Sequence, residues 1–173
     1  MKIILSGYMG SGKTVVGKLL QEKLQLPFLD LDMEISKKEN KSIPAIFEQA
    51  GEIYFRRKES EILSELLNSE EDFLLALGGG TPCYGKNLQF IKDHPEAKLF
   101  YLKASIDTLK KRLFEERGER PLIAHLDSPE LLEDFIRKHL FERAFYYNQS
   151  EYIVKIDGQT PEEVAAAIID RLN

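Results

Sequence analysis

Short runs of apolar residues alternate along this chain with longer segments in which apolar residues recur every three or four positions. The runs predict strands, and the periodic segments predict helices with one buried face. Residues 73–77 are apolar throughout, which is typical of a strand buried on both faces. Because strands and helices alternate, the fold class is predicted to be α/β, with three layers around a five-stranded parallel sheet. The predicted strands are 2–5, 28–32, 73–77, 99–102 and 152–156. The predicted helices, in chain order, are 15–24, 33–38, a short one that starts at Ser42 and ends before Gly51, 52–68, 87–92, one that opens at Ser105 or Asp107, 131–147 and 160–172.

Composition narrows the set of partners. The chain has 173 residues, of which 43% are hydrophobic and 31% charged, as expected for one ordinary globular domain. The net charge of −5 disfavours broad contact with nucleic acid or anionic membranes. The lone Cys83 excludes an intrachain disulfide, and a strand beginning at residue 2 leaves no room for a signal peptide. We therefore expect a cytoplasmic protein with neither nucleic acid nor membrane as a partner.

Residues 7–14 match the phosphate-loop pattern G-x-x-x-x-G-K-[ST]. Glycines let backbone N–H groups close round phosphate oxygens, Lys13 can reach the β- and γ-phosphates, and the Thr14 hydroxyl can bind Mg²⁺. Such a pattern also occurs by chance as a glycine turn, but here it joins a predicted strand to a predicted helix. The sequence therefore predicts a nucleoside triphosphate site, contacted by Gly10, Ser11, Gly12, Lys13, Thr14 and Val15.

Two aspartates follow at the predicted end of the second strand. Asp30 and Asp32 are two positions apart, so in a strand their side chains face the same way. Carboxyl ends of parallel strands meet in the crevice that also receives the phosphate loop. One carboxylate can then hold Mg²⁺ or its waters while the other accepts a proton from a substrate hydroxyl. The alternative is a solvated strand end at which Asp32 caps the next helix.

An acceptor site is suggested by two further groups of residues. Arg56 and Glu59 share one helix face, and a planar guanidinium suits a substrate carboxylate, although a solvated helix face is the commoner explanation. Three glycines, Gly78, Gly79 and Gly80, end the buried third strand. They either admit a ligand close to backbone N–H donors or form a plain tight turn.

The polar segment 118–129, bounded by turn residues, predicts a mobile loop. An arginine on such a lid, here Arg120, can neutralise charge on a transferred phosphoryl group while the closed lid excludes water; the alternative is a charged surface loop. Arg143 lies among Phe141, Phe145, Tyr146 and Tyr147, aromatic residues that we expect in the core. It therefore requires an anion, supplied by either the protein or a substrate. No role is predicted for Cys83 or the histidines.

Together these motifs resemble those of the shikimate kinase family over nearly the whole chain. Many families share the phosphate loop, but its combination with Asp30-x-Asp32, Gly51-Glu-x-x-Phe-Arg56, Gly78–Gly80 and Arg120-Pro-Leu is much narrower. The resemblance implies a P-loop kinase-like domain over 1–173, with a substrate-binding segment at about 32–60 and a lid at about 112–129. It also implies a monomer that uses Mg²⁺ and transfers the γ-phosphoryl group of ATP to the 3-hydroxyl of shikimate, on the route to chorismate and the aromatic amino acids.

The resemblance further implies residue roles. Asp32 holds the shikimate hydroxyls and acts as the base, while Asp30 reaches Mg²⁺ through water beside Thr14. Arg120 acts on the transferred phosphoryl group together with Lys13. The carboxylate is clamped by Arg56 and Arg143, the substrate is contacted by Gly78, Gly79 and Gly80, and the nucleotide is contacted by Arg112, Arg120 and Pro161.

One motif departs from the family pattern, and other functions stay open at this point. The family usually continues Arg-x-Pro-Leu-Tyr-x-Glu, whereas Arg143 is followed here by Ala-Phe-Tyr-Tyr-Asn-Gln. A gluconate or nucleoside monophosphate kinase is the alternative among enzymes. A non-catalytic ATP-binding regulatory module is the alternative from another class, and such a module would not need Arg56, Gly79, Gly80 and Arg143.

Overall fold

Five parallel strands form the central sheet of the structure, which is a computed structural model describing residues 1–172. The strands are β1 (Lys2–Ser6), β2 (Phe28–Asp30), β3 (Phe73–Ala76), β4 (Ala97–Lys103) and β5 (Tyr152–Lys155). In space they run β2-β3-β1-β4-β5, and every neighbouring pair is parallel. The strand that comes first in the chain therefore lies at the centre of the sheet.

Seven α-helices connect and cover these strands within the described residues. They are α1 (Lys13–Leu24), α2 (Leu31–Glu39), α3 (Ile43–Asn68), α4 (Asn87–Asp93), α5 (Ile106–Glu116), α6 (Pro129–Tyr147) and α7 (Pro161–Asp170). Two predicted start signals are confirmed, because Ser42 accepts a hydrogen bond from the N–H of Ala45 and Ser105 accepts one from the N–H of Thr108. Gly51 interrupts α3 with a φ of 84°, as predicted.

Helices cover both faces of the sheet and bury two separate apolar clusters, which confirms the three-layer arrangement. The side chains of β1 show how the clusters divide: Ile3 and Leu5 join the cluster with α1, α5, α6 and α7, whereas Ile4 joins the one with α2, α3 and α4. All three side chains are fully buried. The carboxyl ends of the central strands are left facing a crevice between the layers.

The second strand is shorter than predicted. It ends at Asp30 rather than at residue 32, and α2 begins at Leu31. Its neighbour explains the difference, because β3 ends at Ala76, which lies opposite Asp30 in the sheet. Beyond Asp30 the backbone has no partner strand, and the Asp30 side chain caps α2 instead, a role predicted for Asp32 in the alternative interpretation.

The aromatic residues of α6 are another correction. Phe141 and Phe145 were expected in the core, but they are 88% and 71% exposed. The buried face of this helix follows Leu132, Ile136 and Tyr147 instead. Both phenylalanines lie off that stripe, whereas the spacing of Arg143, four residues before Tyr147, places it on the stripe.

The segment between α5 and α6 is held to the core at two points. Ile123 is fully buried and Leu126 is 9% exposed, and both join the cluster beneath α6. Leu122, which directly precedes Ile123, is 55% exposed. No helix within residues 1–172 is long and apolar enough to cross a membrane.

Candidate active site

A cavity of about 540 Å³ opens at the carboxyl ends of the central strands. Its walls come from the phosphate loop (residues 7–14), the start of α2, the glycines after β3, the end of α5 and the start of α7. Predicted residues that line it are Gly10, Ser11, Gly12, Lys13, Thr14, Val15, Asp30, Asp32, Gly78, Gly79, Arg112, Arg120 and Pro161. Residues that line it without having been predicted include Glu116, Ile156, Gln159 and Val164.

The phosphate loop has a backbone that only glycine adopts readily. Gly10 and Gly12 have φ values of 80° and 91°, and a Cβ on Gly10 would lie 2.9 Å from the side chain of Leu113. Gly12 is the N-cap of α1, and no side chain accepts a hydrogen bond from the first N–H groups of that helix. The N-terminus of α1 therefore presents free donors and its positive dipole end to an anion in the cavity.

Lys13 lies across this loop. Its Nζ donates to the carbonyl oxygens of Gly7 and Tyr8 at 2.6 and 3.2 Å. Burial lowers the pKa of Lys13 to about 8, and the carboxylates of Asp30 and Asp32 oppose that shift. The ammonium group is thus held beside the loop with two carboxylates nearby.

The two aspartates play different structural parts. Asp30 Oδ1 accepts hydrogen bonds from the N–H groups of Asp32 and Met33 at 3.0 and 3.3 Å. Asp32, in the first turn of α2, is half-buried and is not used as a cap. Burial raises the pKa of Asp32 to about 6, and the negative charges of Asp30 and Glu59 add to that rise. A carboxylate with this pKa is suited to take a proton near neutral pH.

Arg56 and Glu59 form a buried ion pair on α3 rather than a solvated helix face. Glu59 is 1% exposed and accepts hydrogen bonds from Arg56 Nη1 at 2.8 Å and from the Thr81 hydroxyl at 2.6 Å. The Arg56 guanidinium also lies near the rings of Phe55 and Tyr84, at 5.3 and 5.1 Å from their centroids. The pair and its neighbours hold one positive group in a defined place.

The glycines after β3 allow two arginines to approach the cavity wall. A Cβ on Gly80 would lie 2.5 Å from Arg56 Nη2, and a Cβ on Gly79 would lie 3.0 Å from Arg143 Nη1. The Tyr147 hydroxyl donates to the Gly79 carbonyl at 2.5 Å and fixes this backbone to α6. Arg56, Gly80 and Arg143 do not line the cavity itself, but they lie beside its glycine wall.

Arg143 has no carboxylate partner within 4.0 Å among the described residues. Its guanidinium carbon lies 5.9 Å from the centroid of the Tyr8 ring, and its side chain is hydrogen-bonded to that of Tyr147. The sequence suggested either a protein carboxylate or a substrate as the anion for Arg143. No carboxylate of residues 1–172 takes that part.

Arginines of α5 and the segment after it approach the cavity from the opposite side. Arg120 lines the cavity, and its Nε and Nη2 donate to Glu116 Oε2 at 3.0 and 2.6 Å. Arg112 Nη1 donates to the Gly10 carbonyl at 3.1 Å, so it braces the phosphate loop. Arg117 does not join them, because its guanidinium stacks on Phe114, 4.0 Å from the ring centroid.

The donor set fits a hard divalent cation. Thr14, Asp30 and Asp32 all line the cavity and offer hydroxyl and carboxylate oxygens, the ligands that Mg²⁺ prefers. Within residues 1–172, no three His, Cys, Asp or Glu side chains group as a metal cage. A cation held by one or two protein oxygens and otherwise by water and substrate phosphates matches the usual Mg²⁺ site.

Known proteins are similar to this chain over nearly its whole length. The family model described as shikimate kinase matches residues 9–173. A shikimate kinase of Flavobacterium johnsoniae is 50% identical over 171 residues, covering 99% of this chain and 98% of the relative. The crystal structure of a shikimate kinase from Bacteroides thetaiotaomicron has a TM-score of 0.89 at 33% identity, covering 99% of this chain and 98% of that one. A shikimate kinase from Acinetobacter baumannii in complex with shikimate has a TM-score of 0.85 at 32% identity, covering 99% and 92% of the two chains.

Proposed function

The chain belongs to the shikimate kinase family, and from that membership we propose that it transfers the γ-phosphoryl group of ATP to the 3-hydroxyl of shikimate. One observation carries the assignment of its residues: two guanidinium groups flank the glycine wall of the cavity that also contains the phosphate loop and Asp32. A planar guanidinium pair matches a substrate carboxylate, and Asp32 matches a substrate hydroxyl.

The donor side is held by the phosphate loop. Free N–H groups at the start of α1 and the ammonium of Lys13 bind the phosphates of ATP, with Arg112 and Pro161 beside the base. The hydroxyl of Thr14 and, through water, the carboxylate of Asp30 would hold Mg²⁺, which would neutralise charge on the phosphates. With this division of the cavity, we expect the γ-phosphate to point toward Asp32.

The acceptor side is held by α2, α3 and α6. Arg56 and Arg143 bind the carboxylate of shikimate, and the backbone of Gly78, Gly79 and Gly80 contacts the ring substituents. Asp32 accepts the proton of the 3-hydroxyl as that oxygen attacks the γ-phosphorus, and the bond from phosphorus to the leaving oxygen of ADP breaks. The negative charge of Glu59 keeps the Arg56 guanidinium in place.

Arg120 is the residue of the lid that we expect to act on the transferred phosphoryl group. When the lid of residues 112–129 closes, this guanidinium exchanges Glu116 for the oxygens of the transferred phosphoryl group and excludes water, the competing acceptor. We also infer that the protein acts as a monomer. A cytoplasmic location fits a chain with a single cysteine.

An ADP-release assay over several acceptors tests this function. The wild-type chain is expected to release ADP from Mg-ATP with shikimate, and not with gluconate or nucleoside monophosphates. The Lys13→Ala variant is the matched control for contaminating kinases. Activity only with gluconate or nucleoside monophosphates overturns the substrate, and ATP binding without turnover of any acceptor indicates a regulatory module.

A further inference from the structure

Tyr8, the second residue of the phosphate loop, turns its side chain into the protein. It is 1% exposed and does not line the cavity. Its Oη and the Nδ1 of His139, on α6, are hydrogen-bonded at 2.9 Å, and the two rings meet edge to face with centroids 5.8 Å apart. Phe135 also packs edge to face with the histidine ring, with the ring centroids 4.6 Å apart. This hydrogen bond is partly buried, and breaking it is costly because the hydroxyl of the buried Tyr8 would be left unpaired.

The backbone of the same residue holds the donor side of the site. The Tyr8 carbonyl accepts hydrogen bonds from Lys13 Nζ at 3.2 Å and from the Ser11 N–H at 3.1 Å. The backbone of Tyr8 is thus fixed to the loop and to Lys13 by contacts that do not involve its hydroxyl.

The ring of Tyr8 also touches the acceptor side. The guanidinium of Arg143 lies 5.9 Å from its centroid, within the range of a cation–π contact. Arg143 follows His139 by four residues, so both project from the same face of α6. The histidine thus ties Tyr8 to the turn of helix that carries this arginine.

The charges around the pair favour neutral partners. Burial, together with the positive charge of Arg143, lowers the pKa of His139, while Glu142 acts weakly in the opposite direction. Burial raises the pKa of the Tyr8 phenol well above its usual value. A neutral imidazole beside a neutral phenol leaves Arg143 as the cation on this face of α6.

We propose that Tyr8 and His139 form a positioning pair that holds Arg143 in register with the phosphate loop, so that donor and acceptor meet in the correct geometry. The inference rests on the proposed function, because it assigns the acceptor carboxylate to Arg143. Neither residue touches the reacting atoms; both act through Arg143.

Removal of the hydroxyl alone tests the pair. Tyr8→Phe keeps the ring and its contact with Arg143 but breaks the hydrogen bond to His139. The KM for shikimate is expected to rise about 3- to 10-fold, the range of one lost hydrogen bond, while the KM for ATP changes by less than about twofold. Tyr152→Phe, on β5 and outside the site, is the matched control and is expected to leave both constants unchanged.

Two variants of His139 separate the effect of side-chain shape from the effect of the hydrogen bond to Tyr8. An asparagine side chain in place of His139 would present a polar atom near the position of Nδ1, whereas leucine has the same branching without one. His139→Leu is expected to raise the KM for shikimate as Tyr8→Phe does, and His139→Asn is expected to restore it to within about twofold of wild type. In the His139→Leu background Tyr8→Phe should add nothing further, because the two side chains act as one unit.

Several results would overturn the inference. A fall in melting temperature with an unchanged KM for shikimate would make the pair merely structural, and equal rises in both KM values would indicate a general distortion of the loop. Failure of His139→Asn to restore the KM would remove the hydrogen bond from the explanation. Turnover of shikimate by the wild-type chain tests the proposed function separately. Calorimetric titration with shikimate measures its Kd in each variant, and so it tests the pair even without turnover.

Discussion

Asp32 has a pKa that suits it for proton transfer and makes it unfavourable for folding. Burial and the negative charges of Asp30 and Glu59 raise its pKa from 3.8 to about 6. A carboxyl group with a raised pKa in the folded state contributes stability below its unfolded pKa, and this contribution is lost as the pH rises through the folded value. At neutral pH the ionised Asp32 therefore opposes folding.

Replacement of that carboxylate should separate activity from stability. Asp32→Asn is expected to lower kcat by at least about 100-fold, through loss of the base. It is also expected to increase the free energy of unfolding at pH 7 by about 1–3 kcal/mol, because a buried charge is removed. Steady-state kinetics and urea unfolding measure the two effects.

Asp30→Asn is the matched control, since asparagine caps a helix as well as aspartate does. It is expected to retain stability and to require more Mg²⁺ for half-maximal activity. A near-normal kcat in Asp32→Asn would show that Asp32 is not the base.

The pH dependence of kcat/KM follows from two groups in the free enzyme. Below about pH 6 Asp32 is protonated and cannot accept a proton, and above about pH 8 Lys13 loses the charge that binds phosphate. The profile is expected to be bell-shaped, with apparent pKa values near these two numbers. In Asp32→Asn the acidic limb should vanish from the residual activity, and an unchanged limb would assign it to another group.

At the residue scale, the sequence predicted the groups whose motif is contiguous. Lys13, Thr14, Asp30 and Asp32 come from short patterns with a stated chemistry, and the structure brings them to one cavity. The contact between Tyr8 and His139 had no such signal, because the two residues are 131 positions apart and meet only through packing of α6 on the loop.

At the scale of elements, Gly17 shows how closely α1 packs on β2. A Cβ on this residue would lie 2.2–2.7 Å from atoms of the Phe28 ring, which is closer than any real packing allows. In an open helix, alanine in place of glycine stabilises by about 0.5–1 kcal/mol. Here that gain is opposed by displacement of an aromatic ring two residues before Asp30.

Gly17→Ala is therefore expected to destabilise the fold by about 1–3 kcal/mol, the usual effect of overpacking. Gly118→Ala is the matched control, because nothing lies within 4 Å of a Cβ at that position, and it should be neutral. Chemical denaturation of both variants measures the difference. A stabilised Gly17→Ala would mean that the contact with Phe28 relaxes freely.

The same scale marks where prediction from sequence failed. Apolar and acidic residues at 28–32 predicted one strand, but the length of a strand depends on its neighbour, and β3 ends opposite Asp30. On α6 the aromatic residues suggested a core, whereas the buried stripe that includes Ile136 and Tyr147 left Phe141 and Phe145 outside. Whether a segment forms a helix or a strand could thus be predicted from its own residues. Where the segment ends and which of its faces is buried depend on neighbouring elements.

At the scale of the whole molecule, the donor and acceptor sides belong to different parts of the chain and can be removed separately. Lys13→Ala is expected to abolish stabilisation by ADP but to keep stabilisation by shikimate. Arg143→Leu should do the reverse, and it leaves no carboxylate unpaired among the described residues. A ligand at 100 times its Kd stabilises by about 2.7 kcal/mol, which a thermal melt detects readily. Loss of both responses in either variant would contradict the division of the cavity.

The central position of β1 has a consequence for synthesis of the chain. Lys2 pairs with Phe73 on one side and with Ala97 on the other, so the first strand made keeps an open edge until β4 has been made. At the usual rate of translation, the ribosome needs roughly 5–20 s to add the residues between Lys2 and Ala97. During that interval an apolar strand with at least one open edge is exposed to other nascent chains, and a holding chaperone would be most useful then.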